Sequence, residues 1–350
     1  MKIKSLLKNE LSLKYFEPMF QLYVDMRDVA TDMEAAFNYH VLNNRSVRLE
    51  TPFPQRMGIA PTNHCNANCI FCAYRKLKDT DRYNHMDLKE FEKAVDDFAA
   101  NGGKEIGLTP TVGEVLLDPT IFEKIKYAKS RGLRVDTVSN GLLLAPNGNY
   151  GKLLESGLDL LDISIGDILP AIDSKIYGIP QSASEFKIDG ILKLLDERKK
   201  NGSKMKVVLA FRSSRSEWEV LNDLKKSKLG EHYRDKSFEI TFLRRYDNWG
   251  GRIGAEELAG MQKMRRGAKF KKYPCAGLYN IGVLANGDIR LCGCRAKDTL
   301  FDDLVIGNMR DTKLKDAWES KDREKIIKEF SHGRYPQVCI ECSAYTPKIR

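Results

Sequence analysis

The segment "PTNHCNANCIFCAYR" (residues 61–75) brings Cys65, Cys69 and Cys72 within eight residues of one another. Three thiols cannot complete a structural zinc site of four cysteines, and this spacing suits a bound group that keeps one position open. A zinc knuckle completed by His64 is the alternative, but a histidine next to a ligating cysteine cannot easily reach the same ion. The segment therefore predicts a metal-cluster loop.

Six apolar or β-branched runs alternate with helix-like segments on either side of this loop. Residues 87–102 and 182–202, for example, carry apolar residues at helical spacing. Repeated strand–helix units imply parallel strands with right-handed crossovers, so we expect the α/β class. Six units indicate a partial (β/α)6 TIM-like barrel, in which chemistry gathers at the C-terminal ends of the strands. The predicted strands are residues 56–62, 105–111, 134–140, 158–166, 205–212 and 237–243.

The remaining chain divides around that barrel. We expect a helical N-terminal preface, a barrel core, a linker that starts at two glycines, and a small C-terminal module with five cysteines. No long Gly/Ser linker separates the two modules, so they are expected to pack together. The predicted boundaries are 1–54, 55–249, 250–274 and 275–350.

Composition limits the functions that remain open. The chain has 350 residues, of which 42% are hydrophobic and 30% charged, enough for one large core and an appended module. Lys8, Glu10 and Lys14 interrupt the N-terminal apolar runs, so we expect no signal peptide, no membrane span and a cytoplasmic location. In that reducing compartment, eight cysteines favour metal or catalytic roles over disulfides. The net charge of +10 suits an anionic partner, but no lysine run or aromatic–basic pattern indicates nucleic acid.

The cysteine array resembles the signature of the radical S-adenosylmethionine (SAM) superfamily, with Phe71 before the last cysteine. The resemblance implies that Cys65, Cys69 and Cys72 hold a four-iron four-sulfur (4Fe–4S) cluster whose fourth iron binds SAM. It also implies reductive cleavage of SAM to a 5′-deoxyadenosyl radical, with an external electron donor such as flavodoxin or ferredoxin.

The stretch "TPTVGEVLLDP" after the second strand resembles the Gly-Gly-Glu-Pro motif that receives the SAM amino group. Gly113 and Glu114 match this motif, whereas Val112 and Val115 depart from it. Strand-end serine, asparagine and glycine are also common turn formers, and a single arginine is often a surface residue, so both readings stay open. Further residues expected in the SAM pocket lie at strand ends or beside the triad: Phe71, Tyr74, Ser139, Asn140, Ser164, Asp167 and Arg212.

The C-terminal module resembles the auxiliary-cluster domain called SPASM, and more closely its shortened twitch version. The resemblance implies that Cys275, Cys292, Cys339 and Cys342 hold an auxiliary 4Fe–4S cluster. Cys294 is left over. The alternative is a zinc site of Cys292, Cys294, Cys339 and Cys342, whose spacing is acceptable.

Relatives with such domains include dehydrogenases of aminocyclitols, epimerases of sugars and peptide maturases. The preface is short for a peptide-recognition domain, so we expect a small polar substrate, an anionic one included, and its oxidation. Sugar epimerisation and peptide modification are the alternatives; a pure electron-transfer protein would not need a three-cysteine site. The stretch "RRYDNWGGR" offers Arg245 and Asp247 to a substrate, unless Trp249 and the glycines only shape the interdomain turn. Cys294 would be the hydrogen-atom donor of an epimerase.

Overall fold

The protein is an α/β structure, described here from a computed structural model that covers residues 10–44, 49–76, 84–258, 260, 262–293 and 302–349. The strands are β1 (Arg56–Ile59), β2 (Glu105–Gly107), β3 (Arg134–Ser139), β4 (Leu160–Ile165), β5 (Lys206–Phe211), β6 (Glu239–Phe242), β7 (Arg245–Tyr246), β8 (Lys263–Met264), β9 (Ile281–Val283), β10 (Asp288–Arg290) and β11 (Val305–Asn308). The helices are α1 (Glu10–His40), α2 (Leu88–Ala100), α3 (Ile121–Ser130), α4 (Asn149–Glu155), α5 (Pro170–Tyr177), α6 (Gln181–Asn201), α7 (Glu217–Lys226), α8 (Gly230–Arg234), α9 (Leu314–Trp318), α10 (Lys321–Ser331) and α11 (Gln337–Ile340). No helix in these ranges is long and apolar enough to cross a bilayer.

Strands β1 to β6 are parallel and pair in chain order, which confirms the predicted partial barrel. Along β3, buried Val135, Thr137 and Ser139 alternate with more exposed neighbours, because successive side chains of a strand point to opposite sides. All six predicted strands form, each shorter than its apolar run. Their carboxyl ends therefore meet at one rim of the barrel.

Helix α2 shows how the sequence fixes the outer layer. The side chain of Asp87 accepts a hydrogen bond from the Lys89 amide at 2.8 Å and so caps the helix. Phe91, Val95 and Phe98 lie on one face and are fully buried in the core. This amphipathic pattern holds the helix against the sheet, as the sequence predicted.

Charged side chains close the opposite, amino-terminal end of the barrel. Arg56 on β1 donates two hydrogen bonds to Asp136 on β3, at 2.7 and 2.9 Å, and also pairs with Glu105 on β2. Arg134 bonds Glu105 at 2.5 Å. These ion pairs link β1, β2 and β3 at the end opposite to the cysteine loop.

The C-terminal module continues the barrel sheet. Strand β9 pairs with β1 in parallel, and β10 and β11 follow antiparallel, giving the order β11-β10-β9-β1-β2-β3-β4-β5-β6 within the described residues. The predicted linker contains β8, which pairs with β7 in a separate two-stranded ribbon. The cysteine loop after β1 consequently lies between the two modules in the sheet order.

Candidate functional site

The cysteine triad lies in the loop that follows β1. Tyr74, in a short 3-10 helix at the end of the loop, reaches back so that its hydroxyl lies 3.2 Å from both the amide and the carbonyl oxygen of Cys65. The Tyr74 amide lies 3.4 Å from the sulfur of Cys72, and the Cys72 amide bonds the Cys69 carbonyl. The loop is thus folded back on itself, which brings Cys65, Cys69 and Cys72 into one compact turn.

Cys69 is buried, and Cys65 and Cys72 are partly buried. Burial raises the pKa of Cys65 to about 12 and that of Cys72 to about 11, and it raises the pKa of Cys69 well above its usual range. Negative charge on the neighbouring thiols raises the pKa of Cys65 and Cys69 further. A metal cluster binds cysteine as thiolate, so its binding must displace the protons of these thiols. Three cysteines in one loop fit such a cluster.

Glu114 is the hub of the strand-end network. Its carboxylate accepts hydrogen bonds from the Leu116 amide at 3.1 Å, the Ser139 hydroxyl at 2.7 Å and the Asn140 amide at 2.7 Å. Its own amide donates to the His64 carbonyl, next to the triad, at 2.7 Å. Burial raises the pKa of Glu114, although these donors lower it. The predicted SAM-binding carboxylate thus ties the triad loop to β3.

Gly113 lets the chain pass closely beneath the triad loop. Its φ of +141° is rare for residues with a side chain. A Cβ atom there would lie 3.1 Å from the carbonyl oxygens of both Thr62 and His64. The glycine of the predicted motif is therefore required by this close approach.

Asn140 bridges the same two loops from the other side. Its side-chain amide donates to Asn66, between Cys65 and Cys69, at 2.8 Å. The side-chain oxygen of Asn140 accepts a hydrogen bond from the Leu142 amide at 3.0 Å. The structure thus brings Ser139 and Asn140 to the triad, where both also shape the turn after β3.

Arg212 directly follows β5 and lies among aromatic rings. Its guanidinium lies 4.8 Å from the ring centre of Phe71 and 5.6 Å from that of Tyr246. It donates to the hydroxyl of Ser164 at 2.7 Å and to that of Tyr246 at 3.3 Å. The prediction placed Phe71, Ser164 and Arg212 in one pocket, and the structure brings the three together.

Asp167 has a partner that the sequence did not indicate. Arg215 donates to its two carboxylate oxygens at 2.6 and 3.0 Å, and Ser213 donates to one of them. The Leu169 amide donates at 2.8 Å. The carboxylate, expected to contact SAM, is fully buried and is held by these protein groups.

A buried ion pair under the triad was also missed. Lys187 on α6 bonds Asp173 on α5 at 2.6 Å, and both side chains are fully buried. The ammonium lies 4.2 Å from the ring centre of Tyr177, which packs against Phe71. The pair also fixes the end of β4, since Asp173 accepts the Gly166 amide at 2.7 Å. No local pattern marks this pair, because its members lie in two different helices.

Arg245, predicted to contact the substrate, takes its contacts from the N-terminal helix instead. Its guanidinium pairs with Asp28 at 3.1 Å and with Asp25, and the side chain is 13% exposed. Asp247 accepts the amide of Trp249 at 2.8 Å and so shapes the turn that begins there. Burial is the main cause that raises the pKa of Cys72, and negative charge on Asp247 raises it as well. The Asp247 carboxyl therefore lies near the triad.

The second cysteine group lines a cavity of about 230 Å³. Cys275, Cys292, Cys339 and Cys342 all face it, together with Gly277. A Cβ atom at Gly277 would lie 3.2 Å from the sulfur of Cys292 and 3.6 Å from that of Cys275. Burial and the neighbouring thiols raise the pKa of Cys339. Four sulfurs around one small cavity fit a cluster with a full set of protein ligands.

Cys294, the proposed hydrogen-atom donor, lies outside the described residues, so the structure does not place it.

Two family models match the chain, one in the barrel and one in the C-terminal module. Residues 59–209 match the Radical SAM superfamily, and residues 275–343 match SPASM, an iron–sulfur cluster-binding domain. The chain therefore carries a radical SAM domain followed by a C-terminal SPASM domain. These domains imply a 4Fe–4S cluster that binds SAM, SAM itself and auxiliary iron–sulfur chemistry, in the two regions that hold the cysteines.

Curated relatives resemble parts or most of this radical SAM protein. An uncharacterized protein of Methanocaldococcus jannaschii is 34% identical over 131 residues, which cover 37% of this chain and 41% of that protein. A probable GTP 3′,8-cyclase of Sulfolobus acidocaldarius is 24% identical over 77% of this chain and 88% of its own length. An AdoMet-dependent heme synthase of Methanosarcina barkeri is 29% identical over 40% of this chain and 39% of its own.

Solved structures share the fold. BtrN in complex with AdoMet and 2-DOIA superposes with a TM-score of 0.54 at 15% identity, covering 84% of this chain and 94% of BtrN. Native anSMEcpe with bound AdoMet gives a TM-score of 0.50 at 16% identity, covering 79% and 84%. Both agree with the partial barrel and C-terminal module described above.

Proposed function

We propose that this protein is a radical SAM dehydrogenase that oxidises a small polar substrate. Cys65, Cys69 and Cys72 hold the SAM-binding cluster at the barrel rim. When bound and reduced, that cluster cleaves SAM to the 5′-deoxyadenosyl radical, which abstracts a hydrogen atom from the substrate. The substrate is proposed to be a sugar, aminocyclitol or nucleotide-sugar.

The observation that carries the proposal is the second cysteine cavity. Four thiols surround one space of about 230 Å³, so a cluster held there has protein ligands on every iron. Such a site has no open position for a substrate and suits the acceptance of one electron. A dehydrogenation needs this acceptor, because the substrate must lose a second electron and a proton after the hydrogen atom.

Residues at the strand ends shape the SAM pocket in this proposal. Arg212, with Phe71 and Tyr246 against its guanidinium, is a planar cation suited to a carboxylate. Glu114 and Asn140 hold the rim loops in place around it. Tyr74 holds the start of the triad loop through the backbone of Cys65.

Support for a small anionic substrate comes from the relative named a GTP 3′,8-cyclase, whose match spans most of both chains. The positive net charge of +10 favours such a substrate as well.

Metal content gives the first test. Anaerobically reconstituted protein is expected to bind about eight iron atoms, and the variant with Cys65, Cys69 and Cys72 changed to alanine about four. The triple variant should form no 5′-deoxyadenosine when SAM and dithionite are supplied. Zinc in the C-terminal cavity, or SAM cleavage by the triple variant, would contradict the assignment.

Solvent deuterium separates oxidation from the alternative, epimerisation. A dehydrogenase should leave no solvent deuterium on product carbon, and Cys294→Ala should still give oxidised product. If the variant instead makes 5′-deoxyadenosine but no inverted product, and the unmodified protein incorporates deuterium, the enzyme is an epimerase that uses Cys294.

A further inference from the structure

The turn of residues 247–251, which joins the barrel to the second module, contacts both cysteine loops at once. We propose that this turn couples the two cluster sites: it fixes one cysteine loop against the other and provides a path of two hydrogen bonds between Cys72 and Cys342. The inference rests on the proposed function, since it assumes a cluster at each loop.

At the triad, the contact is made by Trp249. Its indole N–H donates to the carbonyl oxygen of Phe71 at 2.8 Å, and Phe71 is the residue directly before Cys72. The Trp249 side chain also packs with Val112 and Tyr74 near the thiols of Cys65 and Cys72. The indole therefore holds the middle of the triad loop from outside.

At the second cysteine group, the contact is made by Asn248, the neighbour of Trp249. The Asn248 amide donates to the hydroxyl of Ser343 at 2.8 Å, and the Ser343 amide donates back to the Asn248 side chain at 3.0 Å. The Asn248 side chain also donates to the Glu341 carbonyl at 2.8 Å. Ser343 and Glu341 flank Cys342, so this ligand loop is held on both sides.

The conformation of the turn depends on its contacts with the two cysteine loops. Trp249 has φ of +53°, a left-handed conformation that is unfavourable for a residue with a side chain. Gly250 and Gly251 also have positive φ, and a Cβ atom at Gly250 would lie 2.6 Å from the Val338 carbonyl oxygen. A strained turn persists when its surroundings determine it, and here the surroundings are the two cysteine loops.

Lys271 fixes the far loop independently. Its ammonium donates to the carbonyl oxygens of Ile340 at 2.9 Å and of Cys339 and Cys342 at 3.2 Å. The loop around Cys342 is therefore ordered on its other side, so that loss of the turn should change its position relative to the triad more than its own shape.

The covalent connections make the path short. Phe71 is bonded to Cys72, Trp249 to Asn248 and Ser343 to Cys342, so only the Trp249–Phe71 and Asn248–Ser343 hydrogen bonds interrupt it. One electron that leaves one site arrives at the other, and no proton has to move along the path. This connection would let the electron taken from the substrate reach the SAM-binding site.

The test compares two variants with a matched control. Trp249→Phe keeps an aromatic ring but removes the bond to Phe71, and Asn248→Ala combined with Ser343→Ala removes the contacts at the other end. Trp318→Phe is the control, because Trp318 also donates its indole N–H to a backbone carbonyl, that of Thr51 at 3.1 Å, and neither residue belongs to a cysteine loop.

The first readout needs no cluster. In the metal-free protein, amide hydrogen exchange should speed up in both cysteine loops of Asn248→Ala/Ser343→Ala, although only one loop lost contacts directly. The control should leave both loops unchanged. Acceleration confined to residues 339–343 would overturn the proposed coupling.

The second readout uses the holoenzyme. The protein is first reduced with dithionite, at half an electron per chain, and equilibrated without SAM. SAM is then added. Formation of 5′-deoxyadenosine is followed by rapid quench, together with the electron paramagnetic resonance spectrum. Electrons held at the second site form 5′-deoxyadenosine only after they move to the SAM-binding site, which gives a late phase of product formation. This late phase should slow in both variants at every protein concentration. Their iron content should stay near eight atoms.

The Trp249–Phe71 and Asn248–Ser343 hydrogen bonds lie in series on one path, so loss of either interrupts it. The late phase of a variant changed at both positions should therefore be no slower than that of the slower single-end variant. An unchanged late phase would overturn the proposal, and so would loss of half the iron, which would give the turn a structural role only. Failure of the unmodified protein to form 5′-deoxyadenosine would instead contradict the proposed function.

Discussion

Glu114 shows how one buried carboxylate organises the rim of the barrel. It holds three donors from two segments, while its main chain contacts the loop that carries the triad. Because three protein donors already hold the carboxylate, we expect its main effect on SAM to come through the position of the loops.

Replacing Glu114 by alanine should therefore destabilise the metal-free protein. The change strands buried donors of Leu116, Ser139 and Asn140, at a cost of about 3 kcal/mol. Urea unfolding measures the effect, and the exposed Glu123→Ala on α3 is the control. Unaltered stability together with weakened SAM binding would make Glu114 a direct SAM ligand, as the sequence suggested.

Asp162, on β4, is expected to behave in the opposite sense. Burial raises its pKa, and its Oδ1 atom has no hydrogen-bond partner among the described residues. A folded-state pKa above the unfolded value means that stability is lost as pH rises through the folded pKa. Asp162→Asn should therefore raise the melting temperature at neutral pH, by a smaller amount at pH 4.

Asp136 supplies the contrast for this pH series, because Arg56 donates two hydrogen bonds to it. Asp136→Asn should lower the melting temperature at neutral pH. Equal responses of the two aspartates would show that their local partners do not decide the effect.

At the scale of elements, the N-terminal helix is the part that the sequence predicted only in outline. Periodicity gave a helical preface, and the structure has α1 (Glu10–His40). Its docking was unreadable, because Arg245 finds Asp25 and Asp28 more than two hundred residues earlier in the chain. The six barrel strands were readable because each is a local apolar run between turn residues. Arg245 was assigned to the substrate for the same reason: a sequence shows a charge but not its partner.

We expect Arg245→Ala to loosen α1. The ion pairs are partly exposed, so about 1 kcal/mol and roughly a fivefold faster amide exchange in residues 24–39 are expected. Arg244→Ala is the matched control, because Arg244 pairs with Glu217 on α7 instead. If Arg245→Ala left exchange in α1 unchanged and abolished product formation, the substrate role predicted from the sequence would be restored.

At the scale of the whole molecule, the two modules form one sheet. Apart from the β1–β9 pairing, α2 is anchored to the second module: Lys93 donates to the Met309 carbonyl at 2.5 Å, and Asp97 accepts the Leu314 amide at 2.6 Å. The sequence predicted that the modules pack together, but not that a strand of one extends the sheet of the other. Short strands such as β9 carry no record of which strand they pair with.

Two glycines that face each other across this seam allow the coupling to be tested. A Cβ atom at Gly282 on β9 would lie 3.0 Å from the Gly58 carbonyl oxygen, whereas one at Gly58 on β1 would meet nothing within 4 Å. Gly58→Ala should therefore stabilise the metal-free protein by about 0.4–1 kcal/mol, because alanine restricts the unfolded chain and strains nothing here. Gly282→Ala should cost about 1–3 kcal/mol, since the extra methyl group pushes β9 away from β1. Calorimetry should show a single transition in the unmodified protein and in Gly58→Ala, and a lower, broadened or divided transition in Gly282→Ala. Equal effects of the two substitutions would mean that the β1–β9 seam does not bind the modules into one cooperative unit.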